Sequence, residues 1–377
     1  MMTENAVAIL PSAPTLVRNR DVEHGFRQDS DFMYLSGFNE PDSVIVLVPN
    51  RKQGEYVLFC RDRDLKKETW NGRRFGPEGV VEHFAADNAY SIDDLEEILP
   101  GLMENRESVY YSIGLNPTFD KHVLKCVNDL RGQSRRGTRA PYEFVSLEYL
   151  LHDMRLYKSR EEISLMRKAA KISVQAHINA MKKCEPGLYE YELEAEFLFE
   201  FKRNGANWAY TSIVGGGENG CILHYTENNA ELKNKELVLI DAGAEYQGYA
   251  AAITRTFPVN GKYTIPQQEI YELVLQAQEA AFAKVKPGNH WNDPHDAAVR
   301  ALVKGMVEIG LLKGKPAQLI KDSSYMKYYM HRTGHWLGMD VHDVGDYKVD
   351  DNWRLLEKGM VLTVEPGLYI PAGSRGA

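Results

Sequence analysis

A cluster of histidines in the second half of the chain carries the side chains best suited to chemistry. His331, His335 and His342 fall within 12 residues, among glycines and apolar residues. Glu365 follows in a Val-Glu-Pro-Gly segment, and Asp241 lies upstream at the end of an apolar run. Imidazoles and carboxylates without a neighbouring cysteine are typical ligands of divalent ions such as manganese, cobalt or zinc. This spacing predicts a metal site assembled from distant segments.

The strand that returns after Asp241 lacks a carboxylate that such a site would use. If Tyr246 and Gln247 form a two-residue turn, Asp241 lies opposite residue 252, with the two Cβ atoms roughly 4.5–5.5 Å apart. That residue is Ala252. A carboxylate at the mouth of a buried strand is costly unless it is paired or binds a metal. Asp241 therefore still indicates a polar partner or an ion.

A second region contributes one more histidine. His224 follows the glycine-rich run Gly215–Gly217, which lacks the GxxxxGK[ST] pattern of a phosphate-binding loop. Taken singly, His224 is explained as a hydrogen-bonded core residue, Asp241 as a turn cap and Glu365 as a strand-end charge. Taken together, these residues favour a metal site.

Composition excludes several classes of protein. With 377 residues, 44% hydrophobic and 26% charged, the chain has material for two globular domains. The net charge of −8 and the lack of basic runs argue against nucleic acid and anionic membranes as partners. Four scattered cysteines without a CxxC pair indicate free thiols. No apolar run is long enough to span a bilayer, so the expected location is the cytoplasm.

The first 150 residues alternate apolar runs with amphipathic stretches. Val7–Leu10, Ser43–Val48 and Tyr56–Cys60 are rich in apolar and β-branched residues and predict strands. Ile92–Met103 and Phe119–Leu130 repeat apolar residues at helical spacing and predict helices. The alternation predicts an α/β domain over residues 1–150.

The rest of the chain contains two similar helical passages. Ser159 is expected to cap a long amphipathic helix that begins at Arg160. Val174–Gly187 aligns with Leu275–Gly288 at a constant offset of 101 residues, and each copy indicates a helix, a Pro-Gly turn and a second helix. A strand is predicted after each passage, at Leu237–Ile240 and at Met360–Val364. We therefore expect an α+β domain with a pseudo-twofold repeat over residues 158–377.

Five segments spread over nearly the whole chain carry a family resemblance. They are Arg27–Phe32, Gly37–Pro41, Asn219–Asn228, Ile240–Gly261 and Tyr329–Tyr369. Through them the chain strongly resembles the bacterial type of the aminopeptidase P (Xaa-Pro aminopeptidase) family of pita-bread metallopeptidases. The resemblance implies a creatinase-like N-terminal α/β domain and a C-terminal pita-bread domain.

The same resemblance implies a hydrolase and its cofactors. Asp241, His335 and Glu365 correspond to three of the family's five metal ligands, which hold two divalent ions, usually Mn²⁺. The implied reaction removes the N-terminal residue from peptides with proline in second place. Prolidase is the near neighbour among peptidases, and the match of the N-terminal segments favours aminopeptidase P over it.

The resemblance also assigns residues around the ions. His224, His331 and His342 correspond to histidines that bind substrate and stabilise the reacting centre. Trp70 resembles the tryptophan that reaches the site of a neighbouring subunit, and a homodimer or homotetramer is implied.

Departures from the family pattern predict impaired catalysis. A metal-bridging aspartate corresponds to Ala252, and Arg332 stands where the family has glycine. The last bridging glutamate has no counterpart before Ala377, so Pro371–Ala377 is interpreted as a truncated or altered tail. The alternative is a metal-free pita-bread protein that binds peptides or small molecules, with the Arg332 guanidinium in the electrostatic place of a metal. A third alternative is a creatinase-like enzyme of the same fold, in which histidine acts as acid and base without a metal.

Overall fold

The computed structural model describes residues 2–373, and the chain divides into two compact units, Met1–Met154 and Arg155–Ala377. The predicted altered tail, Pro371–Ala377, lies partly outside the described residues, since these stop at residue 373. Within the described part of the chain, no helix combines the length and the apolar character needed to cross a membrane.

The first unit is built on a mixed six-stranded sheet in the order β6-β5-β4-β1-β7-β8. The strands of this sheet are β1 (Ala6–Pro11), β4 (Val44–Leu47), β5 (Tyr56–Cys60), β6 (Asn88–Ser91), β7 (Ser108–Tyr110) and β8 (Glu143–Val145). A separate hairpin consists of β2 (Val17–Asn19) and β3 (Val22–Glu23). β1 pairs antiparallel with β4 and parallel with β7. The three strands predicted from apolar runs are confirmed as β1, β4 and β5.

Helices cover both faces of this sheet. They are α1 (Ser30–Ser36), α2 (Leu65–Asn71), α3 (Gly76–His83), α4 (Leu95–Met103), α5 (Pro117–Gly132) and α6 (Glu148–Leu156), with short 3₁₀ turns at Ile92–Asp94 and Ser134–Arg136. Alternation along β1 shows the layering, because Val7 and Ile9 join the core of α4 and α5, whereas Ala6 and Ala8 belong to a second core. The predicted α/β layer domain is confirmed.

The described residues of the second unit form five α-helices, and a Pro-Gly turn joins each of two pairs of them. They are α7 (Arg160–Lys183), α8 (Glu190–Arg203), α9 (Ile265–Phe282), α10 (Asp293–Glu308) and α11 (Pro316–Lys321), followed by a 3₁₀ turn at Ser324–Lys327. Ser159 caps α7 as predicted, in a capping box with Glu162. The helix pairs α7–α8 and α9–α10 reproduce the 101-residue offset to within about four residues, as the repeat requires.

The second unit also contains short antiparallel strands, several of which contact the first helix pair. They are β9 (Asn207–Trp208), β10 (Ile213–Gly216), β11 (Leu237–Asp241), β12 (Ala244–Tyr246), β13 (Tyr249–Ala250), β14 (Thr254–Pro258), β15 (Lys348–Val349) and β16 (Asn352–Trp353). β11 is the middle strand of the sheet β10-β11-β14. Phe197 and Phe201 of α8 share one core with Val238 and Ile240 of β11, and each buried side chain contributes about 1.5–3 kcal/mol.

The turn before β13 differs from the prediction. Tyr246 pairs with Tyr249, so the two turn residues are Gln247 and Gly248 instead of Tyr246 and Gln247. Both have positive φ, 50° and 82°, which is typical of a type I′ turn, and this turn needs its glycine inside the two-residue loop. The register of the returning strand therefore moves by two residues.

The strand predicted at Met360–Val364 is wrong, because the described structure has only one isolated bridge there, between Trp336 and Leu362. The segment still hydrogen-bonds residues 333–337, from the Thr363 amide to the His335 carbonyl (2.9 Å) and from the Leu337 amide to the Val361 carbonyl (3.0 Å). A Cβ at Gly334 would lie 2.0 Å from the Thr363 carbonyl oxygen. The two backbones thus approach closely without regular strand geometry.

Candidate metal centre

Asp241 ends β11, and its carboxylate is half-buried. The Tyr210 hydroxyl donates to its Oδ1 atom at 2.5 Å. Burial raises the pKa of Asp241, while hydrogen bonds from Tyr210 and Thr254 and the charges of His224 and His342 lower it. Both of these histidines therefore lie near enough to Asp241 to act on its charge.

The residue opposite Asp241 is Thr254, and not Ala252 as predicted. The cause is the position of the turn, which moves the pairing by two residues. Ala252 precedes Thr254 by two positions and is half-buried. Its methyl group offers no ligand to an ion.

His335 is oriented by the backbone of the residue that follows it. Its Nδ1 atom lies 2.7 Å from the Trp336 carbonyl oxygen, which can only accept, so Nδ1 carries the proton. Nε2 then presents its lone pair, and it lies 3.3 Å from Oε1 of Glu365. A neutral imidazole fixed in this tautomer is the form that binds metals.

Glu365 is placed beside His335 by paired backbones. Its amide donates to the Thr333 carbonyl at 2.7 Å, and the Thr363 hydroxyl donates to its Oε1 at 3.2 Å. Burial, together with repulsion from Asp241, raises the pKa of Glu365 to about 7. The two carboxylates are close enough to repel each other.

The other two histidines of the cluster make different contacts. The ring of His342 contacts the His335 ring edge-on, with centroids 4.3 Å apart. His331 donates from Nδ1 to the Arg332 carbonyl (2.7 Å), and its Nε2 lies 2.9 Å from the Tyr369 hydroxyl. Burial lowers the pKa of His331. Burial raises the pKa of Tyr369 to about 12, and the charges of Glu365 and Asp241 add to this, which links His331 to the carboxylates through that phenol.

The metal-free alternative requires the Arg332 guanidinium to take the place of a metal beside Asp241 and Glu365. The contacts of this side chain are different. Its guanidinium lies over the Trp353 ring at 5.2 Å and hydrogen-bonds Asn292. A cation on an aromatic face is stabilised by that ring. The side chain is exposed.

The loop that carries His335 and His342 rests on buried charges. Asp343 accepts hydrogen bonds from Arg155 (2.7 Å) and Lys158 (2.8 Å). All three side chains are almost fully buried. A Cβ at Gly338 would lie 2.0 Å from Asp343 Oδ2, so the loop needs glycine there.

The types of donor atom, imidazole nitrogen and carboxylate oxygen, fit a divalent ion. Nε2 of His335 and Oε1 of Glu365 face each other as two acceptors, which requires a proton or a cation between them. Asp241 and Glu365 add two carboxylates that repel each other. As the side chains stand, no group of three His, Cys, Asp or Glu residues within 2–373 is close enough to hold an ion.

Trp70 belongs to the first unit and lies in α2. Its side chain is 85% exposed, and none of the residues of this seven-residue helix is buried.

Several residues of the site were missed from the sequence. Tyr210 holds Asp241 from 31 positions away, a separation that no local pattern reveals. Tyr369 follows Glu365 by four residues, and its position just beyond the Pro-Gly turn was an available signal. Thr363 binds both Glu365 and the His335 amide, contacts that the sequence does not reveal.

Known families match both units. Residues 164–377 match the family described as Metallopeptidase family M24, and residues 1–110 match Aminopeptidase P, N-terminal domain. A Xaa-Pro aminopeptidase of Escherichia coli is 46% identical over 371 residues, which cover 98% of this chain and 84% of the relative. One of Haemophilus influenzae is 44% identical over 370 residues, covering 98% and 83%.

Solved structures agree with these matches. The aminopeptidase PepP of Pseudomonas aeruginosa is 54% identical with a TM-score of 0.99, covering 100% of this chain and 85% of that one. Zinc-substituted aminopeptidase P of Escherichia coli, in complex with product, is 45% identical with a TM-score of 0.96, covering 99% and 85%. The chain belongs to metallopeptidase family M24, as a bacterial Xaa-Pro aminopeptidase with the creatinase-like and pita-bread domains of that family.

Proposed function

We propose that this chain is a metallo-aminopeptidase that releases the N-terminal residue from peptides with proline in second place. The observation that carries the proposal is the pair His335 and Glu365, whose acceptor atoms face each other at 3.3 Å beside the carboxylate of Asp241. Family membership supplies the reaction class, since the relatives are named Xaa-Pro aminopeptidases.

Asp241, His335 and Glu365 are the proposed metal ligands. The family implies divalent ions, and we propose Mn²⁺, two in the complete centre. When bound, such ions supply a hydroxide at neutral pH and polarise the scissile carbonyl. His335 is ready to bind through Nε2 because the Trp336 carbonyl holds its other nitrogen.

His224, His331 and His342 are the proposed catalytic histidines. His224 and His342 are exposed beside Asp241, where their N–H groups can donate to a peptide carbonyl or to the developing oxyanion. His331 keeps its Nδ1 proton on the Arg332 carbonyl, so its Nε2 accepts from Tyr369 in the neutral state. That contact fixes the orientation of the imidazole ring.

Ala252 supports a proposal of impaired catalysis. A bridging carboxylate orders two ions, and a methyl group in its place leaves the second ion with fewer ligands. The same residue favours a second candidate function, in which the chain binds peptides without cutting them. The position of Arg332, over Trp353, weakens a metal-free form of that candidate.

Three wider proposals accompany the reaction. Residues 1–150 act as the N-terminal domain and residues 158–377 as the catalytic domain. Trp70, exposed on α2, contacts the substrate site of a neighbouring subunit in a homodimer or homotetramer. The protein works on peptides in the cytoplasm.

Elemental analysis after manganese loading and desalting tests the metal site. We expect about one equivalent per chain, because three protein ligands suffice for one ion. His335→Ala should bring this close to zero, and His24→Ala, an exposed histidine, should leave it unchanged. Equal manganese in both variants would remove His335 from the ligand set. Release of the first residue from a Xaa-Pro peptide, followed by chromatography, separates a peptidase from a peptide-binding protein.

A further inference from the structure

A fully buried carboxylate lies outside the metal site, at the start of α8. Glu190 is the first residue of α8, and its side chain is 0% exposed. Among the described residues no lysine, arginine or histidine forms an ion pair with it. A buried charge of this kind is costly unless hydrogen bonds satisfy it.

Four neutral donors satisfy Glu190. Its Oε1 atom accepts from the Gly216 amide at 2.7 Å and from Asn219 Nδ2 at 3.0 Å. Its Oε2 atom accepts from the Tyr225 hydroxyl at 2.7 Å and from the Ala230 amide at 2.9 Å. Hydrogen bonds to an ionised acceptor are about twice as strong as neutral ones.

All four donors belong to the segment 216–230, and His224 lies within it. Gly216 and Ala230 mark its two ends, while Asn219 and Tyr225 stand on either side of His224. The exposed residues Ile222 and Leu223 precede the histidine, so little of the local core holds this part of the loop. One carboxylate therefore closes the loop at its ends and braces it beside the histidine.

Only a carboxylate satisfies this arrangement. Glutamine replaces one oxygen with an NH₂ group, which is a donor and would face two further donors. The less costly orientation puts the NH₂ group towards Tyr225, whose hydroxyl can turn to accept. The Ala230 amide then loses its partner, and the end of the loop is released.

We propose that Glu190 is a positioning residue that fixes the loop carrying His224 for substrate binding. This inference rests on the proposed function in assigning His224 to the substrate. The four hydrogen bonds and the burial of the carboxylate support this role, which depends neither on a bound metal nor on a change in protonation.

The test compares Glu190→Gln with Glu200→Gln. Glu200 is a matched control, since it is a buried acid of the same helix that binds Asn179 and Asn204 and has no hydrogen bond to the segment 216–230. In Glu190→Gln we expect amide hydrogen exchange at Ala230 to quicken about tenfold, with a shifted ¹⁵N ring resonance of His224. Glu200→Gln should show neither change.

A double-mutant cycle with His224→Ala connects the anchor to binding. Glu190→Gln should weaken the Kd of a Gly-Pro-Ala peptide about tenfold alone, and less than about twofold in the His224→Ala background. Equal losses in both backgrounds, or an unmoved His224 resonance, would overturn the inference. If the unaltered chain binds no peptide while the resonance still shifts, the positioning role stands and the proposed function fails.

Discussion

Lys158 and Asp343 form an ion pair at 2.8 Å in which each side chain is 1% exposed, although 185 residues separate them in the chain. Arg155 binds the other oxygen of the same carboxylate and also reaches Asp340. Burial lowers the pKa of Lys158, and the charge of Asp343 opposes that change. The start of the second unit thus holds the loop that presents His335 and His342.

Replacing Asp343 with asparagine should lower the free energy of unfolding by about 3–5 kcal/mol, because two buried cations lose their common partner. Urea denaturation monitored by circular dichroism measures the loss. Asp340→Asn is the control, since that side chain is 37% exposed and such pairs contribute less than about 1 kcal/mol. Similar costs for the two variants would contradict the buried network.

Gly338→Ala should destabilise the same loop. The new Cβ would lie 2.0 Å from Asp343 Oδ2 and 2.9 Å from Lys158 Cε, so the ion pair must move, at a cost of about 1–3 kcal/mol. Thermal unfolding compares it with Gly101→Ala in α4, where no atom lies within 4 Å of the new Cβ. That control should gain up to about 1 kcal/mol. An unchanged Tm for Gly338→Ala would count against the close packing.

His177 should make stability depend on pH. Burial lowers its pKa from 6.5 to about 4, and the charge of Arg255 adds to this, while hydrogen bonds to the Ala242 and Ile253 carbonyls oppose it. The folded state therefore binds fewer protons than the unfolded state between pH 4 and 6.5, so stability is present above pH 6.5 and is lost as the pH falls towards 4.

The measurement for His177 is the difference in unfolding free energy between the natural chain and His177→Gln at several pH values. It should change by about 3 kcal/mol from pH 7 to pH 4 in favour of the variant. His295, whose pKa is also lowered to about 4, is common to both proteins and cancels. A constant difference would show that His177 titrates normally.

Ala252→Asp should raise the bound manganese by about one equivalent and increase the release of N-terminal residues from Xaa-Pro peptides. Position 252 lies two residues from Thr254, the partner of Asp241, and diagonal neighbours about 7–8 Å apart can share two ions. Ala252→Asn, which adds a side chain of similar shape without the charge, should bind no more manganese than the natural chain. The same manganese content in all three proteins would exclude this position from the centre.

Much of the fold was predictable because local patterns determine it. Apolar runs and helical spacing located β1, β4, β5 and the capped start of α7, where propensity and burial agree. The repeat located the two helix pairs. The strand at Met360–Val364 was wrong because its partner segment runs irregularly past Gly334, a tertiary feature with no local signal.

The site was predictable in its residue types and less so in its geometry. Histidines and carboxylates at Asp241, His335 and Glu365 stood out as a combination, whereas the phenols of Tyr210 and Tyr369 reach the site only through the folded chain. The pairing of Asp241 differs from the prediction by two residues, because the turn forms at Gln247 and Gly248, which adopt positive φ.

The length of the Gln247–Gly248 turn also determines which side chain of the returning strand lies opposite Asp241. Because pairing is counted from the turn, removal of one turn residue would bring Arg255 opposite Asp241 in place of Thr254. A guanidinium would then neutralise the carboxylate that an ion needs. The length of a surface hairpin, remote in sequence from the histidines, thus decides whether this edge of the sheet attracts a metal or forms a salt bridge.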